Sequence, residues 1–213
     1  MVIRTFTKPI FLLVCFCLAI SCTGCQKSPP LSPMAAIQQK LTDMEGYTCL
    51  ATLTRTSNKT QTVYETKQDF KSDGSYRIEM LSPESVAGNY TVCDGSRVCQ
   101  YNPRLPDAVV YDVAPAQQRN ELFLGQFLKN YMQSEGVAVE SAALDESRCT
   151  VLEAIIPGND TAMAREKLWV DNDTLLPVRL IIYDADGNER YRLDYTAFTY
   201  NPHFDENLFR LPA

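Results

Sequence analysis

Histidine is almost absent from this sequence: His203 is the only one in 213 residues. Ser-His-Asp and Cys-His triads therefore all depend on one imidazole, and it stands in an Asn-Pro-flanked terminal segment. His203 reads as a surface or capping residue, and the chain as no enzyme. No cysteine and histidine spacing matches a zinc site. Asp184, Asp186 and Glu189 follow a calcium-loop pattern only in part, because the EF-hand spacing wants a Glu where Tyr195 stands. Gly187 instead makes DADGN a hairpin turn. No two carboxylates are singled out for glycoside hydrolysis. No metal, no cofactor and no catalytic residue is expected.

Positive charge is also in deficit, with 20 Lys and Arg against 26 Asp and Glu and a formal net charge of -6. Such a body is repelled by phosphate and by anionic lipid, which disfavours nucleic acid as a partner. Long apolar runs are lacking as well. The one candidate, residues 10 to 20 (IFLLVCFCLAI), is shorter than the roughly 20 residues a spanning helix needs. With Arg4 and Lys8 before it and SCTGC after it, the run has the layout of a secretory signal peptide.

Thr23, Gly24 and Cys25 resemble the end of a bacterial lipobox, whose cysteine is alkylated by diacylglycerol and becomes the new N-terminus. Cys22 occupies the position where Leu, Val or Ile is usual. The alternative is lipidation at Cys22 itself, after Ala19, Ile20 and Ser21, and a third reading is a plainly secreted protein. Two acyl chains suffice for stable anchoring, at about 0.8 kcal/mol per buried CH₂. The expected organisation is a signal peptide over 1-24, a lipidated Cys25 and Pro-rich tether over 25-33, and one folded domain over 34-213. Its location is the extracytoplasmic face of the cell membrane. Loss of Arg4 and Lys8 with a leader that holds no Asp or Glu makes the body two charges more negative.

Only Cys49, Cys93, Cys99 and Cys149 belong to the domain. Asp94-Gly95 is a hairpin signal. A turn that pairs Cys93 with Ser96 sets Cys99 opposite Tyr90, too far from Cys93 for the ~4.4 to 6.8 Å Cα separation of a disulfide. These cysteines read as buried small apolar residues, with a disulfide elsewhere among the four left open.

Ser32-Pro33 predicts a helix N-cap, and Ile37, Leu41 and Met44 recur at helical spacing up to Gly46. From Tyr47 the period becomes two, through strands at TCLATLTRT, 61-70, SYRIEML, NYTVC and RVCQY. AVVYDV is one more short strand among the prolines at 103, 106 and 115. A second helix is expected over 118-133, with Leu124, Phe127, Leu128 and Tyr131 on its apolar face and Gly136 as its stop. Strands follow near 137-142 and at CTVLEAII, then three antiparallel strands through EKLWV, LLPVRLIIY and ERYRLDYTAFTY. In the last of these Tyr191, Leu193, Tyr195 and Ala197 fall on one side. This order implies an α+β fold, a curved half-barrel wrapped around its helices.

The segment from Lys167 to Leu211 resembles the C-terminal half of the LolA-like superfamily of bacterial envelope proteins. The resemblance rests on Trp169, Val170, Asp171, Thr174 and Pro177 in one hairpin, Asp184 and Gly187 in the next, and Phe204, Phe209 and Leu211 at the end. It implies an unclosed antiparallel β half-barrel with helices packed on its concave face. With the lipobox and acidic body, the chain is most similar to the germination lipoproteins of spore-forming clostridia, GerS and its relatives. That likeness implies a partner role toward a cortex N-acetylmuramoyl-L-alanine amidase in sporulation or germination. The alternative is a carrier or sensor that binds acyl chains of lipids or lipoproteins in an apolar cavity. A fixed anchor argues against a shuttle between membranes. Strand aromatics such as Tyr47, Tyr64, Phe70, Tyr76, Tyr90, Trp169, Tyr191 and Tyr195 either fill the core or line such a cavity. An open sheet also leaves an edge that can pair with a partner or a second copy.

Overall fold

The computed structural model describes residues 31–113, 120–135 and 138–211, so Cys22 and Cys25 lie outside it. Helix α1 spans Pro33–Thr42. Ser32 is extended at its N-cap, its Oγ accepts from the Ala35 N–H at 3.3 Å, and Pro33 fills the first helical position. The helix ends at Thr42, earlier than the sequence suggests. Gly46 is the first residue of β1, and a Cβ there would lie 2.5 Å from the Phe70 carbonyl oxygen. Its glycine serves close backbone approach, not helix termination.

The strands are β1 (Gly46–Thr56), β2 (Gln61–Lys71), β3 (Tyr76–Ser82), β4 (Tyr90–Cys93), β5 (Arg97–Tyr101) and β6 (Val109–Asp112). After helix α2 (Leu124–Gln133) come β7 (Val139–Leu144), β8 (Ser147–Ile155), β9 (Arg165–Asp171), β10 (Pro177–Tyr183) and β11 (Glu189–Tyr200). Among the described residues they form one sheet in the order β6-β5-β4-β3-β2-β1-β11-β10-β9-β8-β7, every pair antiparallel. Two meanders meet where β1 pairs with β11, and β6 and β7 are left as opposite edges. The connection from β6 to β7 therefore crosses the sheet, and it carries α2 across one face.

That crossing shows the curvature. Phe123, the N-cap of α2, packs on Tyr76 of β3 at 4.7 Å between ring centroids, and Ser134 at the other end accepts from the Ile155 N–H of β8 at 2.8 Å. Six strand spacings of about 4.8 Å separate β3 from β8, roughly 29 Å along the sheet. A helix of this length spans only about 15 Å. The sheet must bend round α2, and the expected half-barrel with helices on its concave face is what forms.

Helix α2 is shorter than expected. Asn120 turns the chain ahead of it, its Oδ1 accepting from the Leu122 N–H at 3.1 Å and its carbonyl from the Phe123 N–H. Such local bonds compete with helix at its start. The helix ends at Gln133, where Ser134 Oγ donates to the Asn130 carbonyl at 2.8 Å. Gly136 lies outside the described residues.

Two registers differ from the expectation. Asp94 pairs with Arg97, and the loop residues are Gly95 and Ser96, because Asp94 Oδ1 accepts from Ser96 N–H, Ser96 Oγ and Arg97 N–H at 2.8 to 3.0 Å. Cys93 is thus opposite Val98, and Cys99 opposite Val92 in place of Tyr90. In β11 the register with β1 shifts between Leu50 and Ala51, which oppose Ala197 and Tyr195, so Thr196 is an extra residue. This bulge turns Ala197 outward and brings Phe198 and Tyr200 onto the core face after Tyr191, Leu193 and Tyr195.

Candidate interaction surface

The concave face is the first place to look for a ligand, and between the helices and strands β1, β2, β3 and β8 to β11 it is packed with the protein's own side chains. Tyr47, Phe70, Phe123, Leu124, Phe127, Leu168, Leu180 and Leu193 are buried there, joined by Ile37 and Leu41 of α1. Tyr47 stacks between Phe70 and Phe198 at 5.5 and 5.0 Å. Its hydroxyl donates to Gln68 Oε1 at 3.1 Å and accepts from the Leu124 N–H at 3.2 Å, which pins the start of α2 to the sheet. Burial pushes that phenol well above its ordinary pKa. Asn130 of α2 donates to the buried Glu166 of β9 at 2.6 Å. Of the strand aromatics named above, Tyr47, Phe70 and Tyr76 are core residues, and Tyr64, Tyr191 and Tyr195 pack against that core.

Beyond the helices, the arm formed by β3 to β6 is open. Ile78, Thr91, Gln100 and Val109 face one another across four strands. Ile78 also packs on the main core, so this row is on the concave side. A groove of about 390 Å³ runs there, lined by Ile78, Met80, Leu105 and Val109 among others. Arg104, in the loop between the lining residues Asn102 and Leu105, donates from its guanidinium to the carbonyl oxygens of Glu84, at 2.7 Å, and of Ser85. The edge strand β6 is exposed along its length, with Val109 at 57%, Val110 at 44% and Tyr111 at 42% of their free surface, and Leu105 beside it at 55%. An edge carrying a run of β-branched and aromatic side chains is a template for pairing with another chain. Prolines 103, 106 and 115 on either side of AVVYDV were the sequence signal of an edge. Without a register, the exposure of both faces of β6 was not readable.

The outer face of the same arm is covered differently. Val92 and Cys99 are buried beneath Phe209, with Phe204, Leu208 and Leu211 around them, so the C-terminal segment lies across β4 and β5. Tyr90, on that face, takes the Arg77 guanidinium 3.8 Å from its ring centroid. Asn201, at a φ of 49°, starts the segment, accepting from the Glu45 and Gly46 N–H groups at 2.8 and 3.2 Å. The four cysteines 49, 93, 99 and 149 are buried free thiols, and desolvation raises the pKa of each.

The acids of the two C-terminal hairpins serve turns. Asp171 Oδ1 accepts from Thr174 N–H, Thr174 Oγ1 and Asp173 N–H at 2.7 to 3.0 Å; the Thr174 N–H bond is the largest influence holding its carboxyl below the usual range. Asp184 Oδ1 accepts from Asp186 and Asn188 N–H groups, and its Oδ2 faces Arg190 Nε at 2.8 Å. Burial works to raise the Asp184 pKa, and these bonds outweigh it. Among the described residues no three His, Cys, Asp or Glu converge as metal ligands, and no helix is long and apolar enough to cross a membrane. His203 lies in an open cleft of about 510 Å³ with Lys71, Asp73 and Asn201.

A family model described as sporulation protein YdcC-like matches residues 6–209. No curated protein matches the sequence. Among solved structures, an uncharacterized conserved protein from Thermus thermophilus is 15% identical, over 85% of this chain and 95% of that one, with a TM-score of 0.54, which shows a shared fold. A chain of the complex of the CwlD amidase with the GerS lipoprotein from Clostridioides difficile is 26% identical, over 94% of this chain and all of that one, at a TM-score of 0.49. A LolA superfamily protein from Nitrosomonas europaea is 12% identical, over 85% and 99%, at 0.44.

Proposed function

Because the chain belongs to the YdcC-like sporulation protein family, we propose that it is a non-catalytic lipoprotein of the sporulating cell envelope that acts by binding a partner protein. The family match over nearly the whole chain carries this reading. The sequence likeness to germination lipoproteins names the partner class, a cell-wall N-acetylmuramoyl-L-alanine amidase of the spore cortex. The lipobox at Cys25 supports a tether on the extracytoplasmic face of the membrane. The open β6 arm, with its exposed Val109, Val110 and Tyr111, supplies a surface on which a partner strand can dock.

The test is capture of the full-length lipoprotein from membranes of sporulating cells. An amidase should be enriched, and adding the purified lipoprotein should raise that amidase's turnover of cortex peptidoglycan. Recovery of the lipoprotein without any cell-wall hydrolase would overturn the amidase assignment. A stoichiometric lipid in native mass spectrometry would move the reading to the acyl-chain carrier, against the packing of the concave face.

A further inference from the structure

Where β1 turns into β2, the protein holds a cleft of about 670 Å³ that neither the partner surface nor the core uses. Arg55 lies two residues beyond the buried Leu53, so it projects from the core face of β1, directly opposite Tyr191 of β11. The turn contributes Asn58 and Lys59, β11 contributes Arg190, and Met163 and Asp160 close the far wall. Three cations converge here in a chain whose net charge is -6. The one acid of the lining, Asp160, accepts from the Ala162 N–H at 2.9 Å.

The cations have different duties. Arg190 is framework: its Nε faces Asp184 Oδ2 at 2.8 Å, and it donates to Asn58 Oδ1 at 2.6 Å, fastening the β1–β2 turn to β11. That bond leaves the Asn58 NH₂ group free to donate. Arg55 and Lys59 are exposed, and among the described residues neither has a carboxylate partner. A guanidinium fork, an ammonium and an amide donor around one space offer enough N–H groups for both non-bridging oxygens of a phosphate and for a third oxygen, terminal or ester, where a carboxylate presents only two. Tyr191 and Met163 give an apolar wall for the group that carries it.

We propose that this cleft binds a phosphate ester, held by Arg55 and Lys59 with Asn58 donating and its organic stem against Tyr191 and Met163. Such a group can come from a phospholipid headgroup or from a soluble or polymeric glycerol phosphate. The experiment is calorimetry on the full-length protein in neutral detergent, with glycerol 1-phosphate and dihexanoyl-phosphatidylglycerol as probes. Saturable binding on the order of 1 mM or tighter is expected at low salt, weakening as salt rises. The double substitution R55Q/K59Q should weaken it by at least about tenfold, as the loss of charge-assisted bonds implies. K129Q, on exposed α2 surface, should leave it unchanged, and equal melting temperatures would show all variants folded. Binding of both probes assigns the site to the phosphate group alone, and binding of the lipid only assigns it to a headgroup. Absence of binding by either probe, or equal binding by R55Q/K59Q, overturns the proposal.

Discussion

At the scale of single residues, the concave core is set by contacts that tolerate little change. Gly125 of α2 sits against Phe70, and a Cβ there would be 2.0 Å from the ring's Cζ. The ring cannot swing away, because Tyr47 and Phe123 flank it at 5.5 and 6.0 Å. Gly125→Ala should therefore destabilise the fold by about 1 to 3 kcal/mol, despite the better helix propensity of alanine. Urea unfolding measures it, and an unchanged midpoint would mean that α2 is less tightly seated. Asp94 gives a second test. Burial alone would raise its pKa, but hydrogen bonds from Arg97 and Ser96 lower it from 3.8 to about 2. A depressed carboxylate pKa contributes stability that is complete above the unfolded value and lost as pH falls through the folded one. The advantage of wild type over Asp94→Asn should shrink by about 2 kcal/mol between those two values, read from unfolding free energies across that range. Sequence alone located this turn and its Gly95 but set its closing pair one residue early. A hairpin dipeptide does not reveal which of two adjacent pairs an aspartate side chain will close.

At the scale of elements, alternation and capping residues were enough to place most strands and the start of α1, since each signal is local. What failed were the points where a distant partner decides. The bulge at Thr196 falls just past Asp194, where the pairing with β10 ends and β11 runs on along β1 alone, so Ala197 left the core face and Phe198 entered it. The C-terminal segment NPHFDENLFRLPA reads from sequence as a short cap, but Phe204, Phe209 and Leu211 do not reveal which strands they cover. In the fold that segment covers Val92 and Cys99. A chain ended after His203 should keep its sheet by circular dichroism and expose Cys99 to maleimide, while Cys49, buried under the helices, stays unlabelled. Peptide mapping of the labelled protein distinguishes the two. Failure of Cys99 to label would show that the outer face of the arm is protected without its cover.

At the scale of the whole molecule, the sheet has two free edges, and they are not equivalent. The β7 edge carries Glu140, which reaches Lys167 two strands away at 3.4 Å, so charge stands over it and discourages pairing. The β6 edge carries Val109, Val110 and Tyr111 in the open, beside a groove whose cross-strand row runs from Val109 through Gln100 and Thr91 to Ile78, which packs on the core. A partner that adds a strand gains main-chain hydrogen bonds at either edge, but β6 offers it more apolar surface to bury, Val109, Val110 and Tyr111 against Val139 on β7, at about 25 cal/mol per Å². The partner should therefore choose β6. Charging that edge with V109K/V110K should abolish partner capture from membranes of sporulating cells, whereas V139K on β7 should leave it intact. Both variants replace exposed side chains, so each should unfold within about 0.5 kcal/mol per substitution of wild type. Capture lost with V139K and retained with V109K/V110K would place the partner at the opposite edge, and the open arm would then need another explanation.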